Sequence, residues 1–299
     1  MLGFPTSFIP TLVCQYDDGA LESHETTDTF VRSGVLTCTI CRRTYPIENG
    51  ILHMLGVQEK LDDSAVREQS ERDKEADVYD ERLEARYYKE VISILQRINS
   101  RVWGKRIIEY AAGTGRFTLP IARLGSEVLA IDFSLRSLEV LAKKIPAEHS
   151  IGLVYGDATS FRTAPHAFDC AVSMQFIEHI QDSEKRASFF KSVANTLVQG
   201  GTLFLSAYHQ DLRRRLRGEP QTGFHTNGIP FHYFRCAELR TEIAKIFSQV
   251  VAHPFDITFP LEGRLPLSPL IRGRISRITE HIPGIRSLGH LVFIRATNV

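Results

Sequence analysis

The fold is decided by residues 107–117, which read IIEYAAGTGRF. An apolar run predicts a β-strand that leads through Gly113-Thr114-Gly115 into a helix. Glycines allow a tight turn and a close approach of the backbone to a ligand, and a helix N-terminus favours negatively charged groups. The stretch therefore predicts a strand–turn–helix unit with a ligand at its turn, and a plain tight turn is the open alternative.

From Lys105 onward, short apolar runs alternate with amphipathic stretches, as in βα units. Buried parallel strands read as continuous apolar runs, and several runs here have that form. We predict strands at Arg106–Tyr110, Glu127–Ile131, Ile151–Tyr155, Phe168–Met174, Thr202–Tyr208, Val250–Phe255 and Gly289–Ala296, and helices at Arg116–Leu124, Leu135–Lys144, Glu184–Leu197 and Ala237–Phe247. The pattern predicts a doubly wound α/β fold whose ligand crevice lies at the carboxyl ends of the strands.

Composition is typical of a folded globular protein. The 299 residues are 43% hydrophobic and 24% charged, and the formal net charge of +1 creates no global field that attracts nucleic acid. No apolar run approaches the roughly 20 residues that span a membrane, and the start lacks the features of a signal peptide. Three of the five cysteines lie in the first 41 residues, which favours a local metal site in a reducing compartment. We therefore expect a cytoplasmic protein without a transmembrane segment.

Three regions differ in their residue patterns. Residues 1–57 contain Cys14, Cys38 and Cys41 together with runs that favour β-structure. Residues 58–104 are rich in charged residues, with apolar residues at helical spacing, and predict a helical linker. We expect its tyrosines, Tyr79 among them, to lie over the ligand site as a lid, although simple packing explains at least one tyrosine equally well. Residues 105–299 form the βα region.

Several polar residues follow the predicted strands at their carboxyl ends. Asp132 closes the second strand and suits two ribose hydroxyls, and Asp157 after the third strand suits an adenine amine or an ordinary turn. Gln175 and His179 follow the fourth strand. Thr118 stands where the dinucleotide fingerprint has its third glycine. The pattern therefore favours a ligand without a pyrophosphate over NAD.

Together these elements resemble the class I S-adenosylmethionine (SAM)-dependent methyltransferase family over about residues 75–299. The family's first motif is acid-x-Gly-x-Gly-x-Gly, and Ala111 replaces its first glycine here. The resemblance implies a seven-stranded, mostly parallel sheet whose last strand is antiparallel. By this resemblance, Glu109 and Gly113 hold the methionine end of SAM, within the motif that also contains Ala111 and Gly115. Asp132 holds the ribose hydroxyls, Phe133 lies against the adenine, Asp157 and Ala158 hold the adenine edge, and Gln175 lines the path to the methyl group.

The N-terminal region resembles the small zinc-ribbon-like domains that accompany or activate methyltransferases. Its Cys38-Thr39-Ile40-Cys41 pair is intact, whereas Cys14 is followed by Asp17 where the second cysteine of the first pair belongs. Cys14, Cys38 and Cys41 could hold a structural zinc with Asp17 or His24 as fourth ligand. The alternatives are a site that has lost its metal and is held by its core, and a redox dithiol at Cys38 and Cys41.

Methyl transfer from a sulfonium is an in-line displacement, and an oxygen or nitrogen nucleophile often needs a base. His179 is the first candidate for the base, and a helix-start residue bonded to backbone is the alternative. Tyr208 and His232 are further candidates, because the segment GFHTNGIPFHYF that follows strand five is rich in aromatic and histidine residues and suits an acceptor pocket. An ordinary capping loop accounts for that composition as well.

The expected function is transfer of a methyl group to a small-molecule acceptor. An RNA or protein methyltransferase, a non-catalytic binding module and a nicotinamide oxidoreductase are the alternatives, and no nucleic-acid partner is expected. The segment Pro260–Arg286 mixes apolar residues with arginines. It predicts a lid, a membrane-surface helix, a site for an acidic substrate or a plain solvated helix. The oligomeric state stays open, a homodimer included.

Overall fold

One mixed β-sheet of eleven strands runs through the chain. The computed structural model describes residues 3–23, 28–55, 63–258, 268–282 and 284–298. The strands are β1 (Phe4–Pro5), β2 (Leu21–Ser23), β3 (Phe30–Val31), β4 (Gly34–Cys38), β5 (Thr44–Glu48), β6 (Ile51–His53), β7 (Arg106–Tyr110), β8 (Glu127–Asp132), β9 (Ile151–Tyr155), β10 (Phe168–Met174), β11 (Leu197–Tyr208), β12 (Thr222–Phe224), β13 (Pro230–His232), β14 (Ser248–Phe255) and β15 (Leu291–Thr297).

The helices lie on both faces of this sheet and at its carboxyl edge. They are α1 (Asp63–Val102), α2 (Thr118–Ala122), α3 (Leu135–Ala142), α4 (Ser183–Thr196), α5 (Leu212–Leu216), α6 (Cys236–Ile243) and α7 (Pro269–Thr279), with 3-10 turns at Thr6–Thr11, Ile177–His179 and Ile285–Leu288. Within the described ranges, no helix has both the length and the apolar character needed to cross a bilayer.

Seven strands form the doubly wound part of the sheet in the order β14-β15-β11-β10-β7-β8-β9. Neighbouring strands are parallel except at β15, which runs antiparallel to both β11 and β14. This arrangement confirms the predicted fold class. The bounds of β7, β9 and β10 match the prediction, whereas β11 begins at Leu197 rather than at Thr202.

The N-terminal strands extend this sheet instead of forming a separate one. Strand β6 pairs in parallel with β9, with Ile51 opposite Leu153 and His53 opposite Tyr155. Strands β5, β4 and β2 follow outward in antiparallel order. The pairing covers the edge of β9, whose backbone groups would otherwise be open to another chain. The sequence predicted strands in this region but not which edge they would join.

Aromatic side chains from the first residues of the chain complete the core beneath β9. Phe4 and Phe8 are fully buried, and the ring of Phe8 stacks on that of Phe168 with centroids 6.4 Å apart. A Cβ at Gly152 would lie 3.0 Å from Phe8 and 3.2 Å from Phe4. Because Gly152 has no side chain, both rings fit beneath β9. The N-terminal strands and the doubly wound part of the sheet therefore share one hydrophobic core.

We expect Phe8→Ala to lower the free energy of unfolding by about 3–5 kcal/mol, because it leaves a cavity between the two β-regions. Chemical denaturation followed by circular dichroism measures this loss, and both regions are expected to unfold in one transition. The control is Phe30→Ala, since Phe30 is 45% exposed and its loss should cost far less. Equal losses in the two variants would contradict the shared core.

Candidate active site

The turn after β7 has a strained backbone. Ala111 has φ +58°, Gly113 has φ +56° and Gly115 has φ +90°. A Cβ at Gly115 would lie 2.2 Å from Leu141 Cδ1, so only glycine fits there. The left-handed conformation of Ala111 costs about 1 kcal/mol, and such strain is concentrated at functional sites. The first motif thus keeps its turn geometry although its first glycine is absent.

Asp132 at the end of β8 binds this turn. Its Oδ2 accepts a hydrogen bond of 2.7 Å from the Gly113 N–H, and its Oδ1 accepts one of 2.8 Å from the Ser134 N–H. Burial raises the pKa of Asp132 to about 6, and these two backbone donors limit the rise. A carboxylate offers about four lone-pair sites, so further acceptor capacity remains for ligand hydroxyls.

Glu109 is buried at the end of β7, where burial raises its pKa to about 8. The Thr118 hydroxyl donates a 2.6 Å hydrogen bond to Glu109 Oε2. Thr118 therefore orients the acid of the first motif from the position where a dinucleotide-binding loop has glycine. The sequence identified Thr118 only as a departure from that fingerprint.

The carboxyl ends of β7, β8 and β10 enclose a cavity of about 220 Å³. It brings together most of the predicted site residues, namely Tyr79, Glu109, Ala111, Gly113, Asp132, Phe133, Gln175, His179 and Tyr208. An adjoining groove of about 1650 Å³ shares Phe133 and His179 with the cavity, and Asp157 and Ala158 line this groove. Gly115 lines neither space, and its α-carbon packs against Leu141.

Helix α1 covers the cavity with side chains that, apart from Tyr79, the sequence did not single out. Glu68, Arg72 and Ala76 line it from this helix. Arg72 Nη2 lies 3.2 Å from Glu68 Oε1 and 3.1 Å from His179 Nε2. The side chains of residues 82–88, and with them Tyr87 and Tyr88, lie outside what the structure describes.

His179 is held as a neutral imidazole. Burial, and next the nearby Arg72 charge, lower the pKa of His179 to about 3. Its Nδ1 lies 2.8 Å from the Pro230 carbonyl and donates to it, so Nε2 is left to accept from Arg72. In this arrangement the imidazole is a weak base, and its basic nitrogen is already occupied. A role in proton transfer requires Arg72 to move.

Gln175 is positioned by charged residues at the end of β10. Its φ of +54° is the second left-handed non-glycine conformation at this edge. Arg116 Nη2 donates a 2.7 Å hydrogen bond to Gln175 Oε1, and Gln175 Nε2 donates one of 3.2 Å to Glu90. The Gln175 side chain is thereby fixed beside the cavity, which is the position predicted from the family resemblance.

The segment after β11 forms an aromatic wall behind His225, which lines the cavity. Phe231 stacks on Tyr233 with centroids 4.5 Å apart, and His225 lies 4.8 Å from Phe231. The Arg214 guanidinium lies 3.9 Å from the centroid of Tyr233 on its far side. Of these side chains His225 reaches the cavity, which Tyr208 also lines.

His232 is turned away from this wall. Its Nε2 lies 2.9 Å from Glu238 Oε1, and its Nδ1 lies 3.0 Å from the Thr222 hydroxyl. It lines neither the cavity nor the groove among the described residues. The structure thus brings His179 and Tyr208 to the site and places His232 outside it.

A second cluster lies in the N-terminal region. The ligand atoms of Cys14, Asp17, Cys38 and Cys41 all lie within 4.8 Å of one another, and the Cys14 and Cys41 sulfurs are 3.6 Å apart. Thiolates around a tetrahedral zinc, with bonds of about 2.3 Å, are about 3.8 Å apart. The Gly19 N–H, followed by the neighbouring thiols, holds the pKa of Asp17 below its usual range.

The donor set fits zinc. Asp17 Oδ2 is buried and has no hydrogen-bond partner among the described residues, so it is suitably placed to be a ligand. The Tyr45 hydroxyl accepts from the Gln15 N–H and lies 3.1 Å from Cys14 Sγ, which supports the sulfur from outside the cluster. His24, the alternative fourth ligand, lies outside the described residues.

Comparisons with known families agree with the α/β part of the chain and with the cysteine-containing N-terminal region. A model described as "Methyltransferase domain" matches residues 108–205, and one described as "Trm112p-like protein" matches residues 7–50. The chain therefore contains a methyltransferase domain and a Trm112-like domain, and its fold is that of a solved SAM-dependent methyltransferase. The first match runs from within β7 to most of β11, and the second covers the cysteine cluster.

Curated relatives and solved structures match the chain at low sequence identity. The ubiquinone biosynthesis O-methyltransferase of Vibrio cholerae serotype O1 is 29% identical over 126 residues, 41% of this chain, and the chain spans about half (49%) of that relative's length. A SAM-dependent methyltransferase structure from Thermotoga maritima is 19% identical with a TM-score of 0.52, covering 76% of this chain and 97% of the other. A chain in a complex of the Haloferax volcanii Trm112 methyltransferase activator is 17% identical with a TM-score of 0.53, at the same coverage.

Glu178 is a buried carboxyl that directly precedes His179 in the Ile177–His179 turn. It is fully buried, and neither of its carboxyl oxygens has a hydrogen-bond partner among the described residues. Burial raises its pKa from 4.5 to about 8. The folded state therefore holds a proton that the unfolded state releases, and stability falls as pH rises from 4.5 towards 8.

We expect Glu178→Gln to reduce this fall between about pH 5 and pH 8, because glutamine does not titrate. The slope of unfolding free energy should become shallower by up to about 1.4 kcal/mol per pH unit. Denaturant titrations at several pH values measure it, with Glu184→Gln, an exposed carboxyl at the start of α4, as the matched control. An unchanged slope in Glu178→Gln would show that Glu178 is ionised when folded.

We expect about one zinc per chain in purified protein, and we expect Cys38→Ser to lose this metal and to lower the melting temperature. Elemental analysis and thermal melting with and without a chelator measure both effects. Cys236→Ser is the control, since Cys236 lies on α6 outside the cluster. A wild-type protein that holds no zinc and resists the chelator would favour the alternative of a core without metal.

Proposed function

We propose that the protein transfers a methyl group from SAM to a small-molecule acceptor. The observation that carries this proposal is the convergence of Glu109, Asp132 and Gln175 on one cavity at the carboxyl ends of three neighbouring strands. Asp132, with its remaining acceptor capacity, would hold the ribose hydroxyls. Phe133 and Asp157 would hold the adenine, because both line the adjoining groove.

SAM supplies a methyl group on a sulfonium, whose departure as a neutral thioether needs little further activation. The residues of this chain then have to align the acceptor with that methyl group and exclude water. Helix α1 provides the exclusion through Arg72, Ala76 and Tyr79, which close the cavity from above. We propose on this basis that α1, which lies within the predicted linker of residues 58–104, acts as the lid.

The acceptor side of the cavity favours a small aromatic or planar compound. Tyr208 and His225 line it, and Phe231 and Tyr233 stack behind His225. The name of the Vibrio cholerae relative supports an oxygen nucleophile. His179 and Tyr208 remain the candidates for handling its proton, with His179 available once Arg72 releases Nε2.

We further propose that residues 1–57 act as a built-in activator of residues 105–299. The Trm112 protein in the Haloferax volcanii complex is named as a methyltransferase activator. Here His53 on β6 packs against Tyr155 at a centroid distance of 5.4 Å, and Gln69 donates a 3.1 Å hydrogen bond to the Tyr155 hydroxyl. Gln69 also donates to the Phe133 carbonyl, so the N-terminal strands support the proposed adenine site.

We expect the wild-type protein to bind S-adenosylhomocysteine, and Asp132→Asn to weaken binding at least about tenfold, because a charged hydrogen-bond acceptor is lost. Isothermal titration calorimetry measures this affinity. Asp169→Asn is the matched control, since Asp169 lies at the opposite end of β10 and accepts from the Arg106 N–H. A folded wild type that does not bind would reject the proposal.

The acceptor class is tested with SAM labelled in its methyl group and a cell extract separated by size. Label is expected in the low-mass fraction. Label in acid-precipitable protein or RNA would replace the small-molecule acceptor by a macromolecular one.

A further inference from the structure

Helix α7 buries polar side chains against the rest of the protein. Ser276 and Glu280 are 3% and 8% exposed. The Ile257 N–H donates a 2.9 Å hydrogen bond to the Ser276 hydroxyl, and Glu280 forms an ion pair with Arg97 of α1. Glu280 Oε1 also accepts from the Asp256 N–H at 3.2 Å. The described side chains on the inward face of α7 therefore contact the protein through hydrogen bonds and an ion pair.

The outward face of α7 is apolar instead. Ile271, Ile275, Ile278 and Ile282 are 44%, 38%, 67% and 42% exposed. Their spacing of four, three and four residues places them in one stripe, with Ile282 in the turn that follows the helix. A surface helix of a globular protein normally has the opposite arrangement, with its apolar stripe facing the core. We refer to these four isoleucines as the isoleucine stripe.

Within residues 268–282, the exposed charged side chains all have the same sign. Arg274 and Arg277 are exposed beside the isoleucine stripe, and Glu280, the one acid within residues 268–282, is buried. Helix α5 lies next to the Ile285–Leu288 turn and adds the exposed Arg215 and Leu216. Apolar side chains flanked by arginines are the combination that lies at a membrane interface.

This surface is connected to the cover of the cavity. Lys89 of α1 donates a 2.9 Å hydrogen bond to the Ile257 carbonyl, just before the segment that leads to α7. Arg97, eight residues along the same helix, holds Glu280. Earlier turns of α1 place Arg72 and Tyr79 over the cavity.

We propose that the isoleucine stripe, with Arg274 and Arg277, is a docking site for the surface of a bilayer that contains anionic phospholipid. A second copy of the chain is a poorer occupant, because four isoleucine side chains fall short of the ~800 Å² that each partner of a stable dimer buries. A bilayer needs no matching protein surface, and its negative headgroups complement the arginines. Docking would hold α1, the helix that covers the cavity, close to the membrane.

The test is flotation of the full chain with vesicles of phosphatidylcholine alone or with about 30% phosphatidylglycerol. We expect binding to the anionic vesicles that weakens with salt. Ile275→Thr combined with Ile278→Thr should reduce binding at least about tenfold. The matched control is Val35→Thr with Val251→Thr, at exposed valines of β4 and β14, and should bind as the wild type does.

Arg274→Gln combined with Arg277→Gln should lower binding to the anionic vesicles about tenfold and change binding to neutral ones little. Binding of S-adenosylhomocysteine is measured on every variant and should be unchanged, which separates this proposal from that of methyl transfer. A wild type that does not float, or an isoleucine variant that floats equally well, would overturn the proposal. So would a wild-type dimer that the isoleucine variant converts to a monomer.

Discussion

The buried carboxylate of Asp132 is the interaction on which the site depends. By accepting from the Gly113 and Ser134 N–H groups, it joins the turn after β7 to the turn that begins α3. Two adjacent strand ends are thereby held at one spacing, beside the left-handed Ala111. Burial makes this carboxylate costly, as its pKa of about 6 indicates, and strongly perturbed pKa values cluster at functional sites.

The second constraint is the edge of the sheet. Strand β9 ends at Tyr155, which contacts both β6 and α1, and its open edge is covered by the N-terminal strands. Because Phe4 and Phe8 complete the core under β9, the cysteine cluster, the sheet and the cavity belong to one packed body. A change in the N-terminal region can therefore reach Phe133 through Tyr155 and Gln69 without any contact to the ligand.

The sequence predicted those parts of the structure that depend on residues close to one another along the chain. A short, continuous apolar run is typical of a buried parallel strand, so β7, β9 and β10 were predictable, and Asp132 was predictable from its place after such a run. Contacts across the fold were not predictable in this way. Nothing in the sequence around Arg72 indicates that it faces His179. The isoleucines and arginines of α7 have the same spacing whichever face packs inward, so only the buried Ser276 and Glu280 reveal the orientation.

The proposal that SAM occupies the cavity between Asp132 and α1 is tested most directly by hydrogen–deuterium exchange. The exchange is measured by mass spectrometry with and without S-adenosylhomocysteine. We expect the ligand to slow exchange in peptides that cover residues 107–117, 130–137 and 68–80, and to leave exchange in β4 and β5 unchanged. Unchanged exchange in the glycine turn and around Asp132, at a ligand concentration that saturates binding, would contradict this placement of SAM.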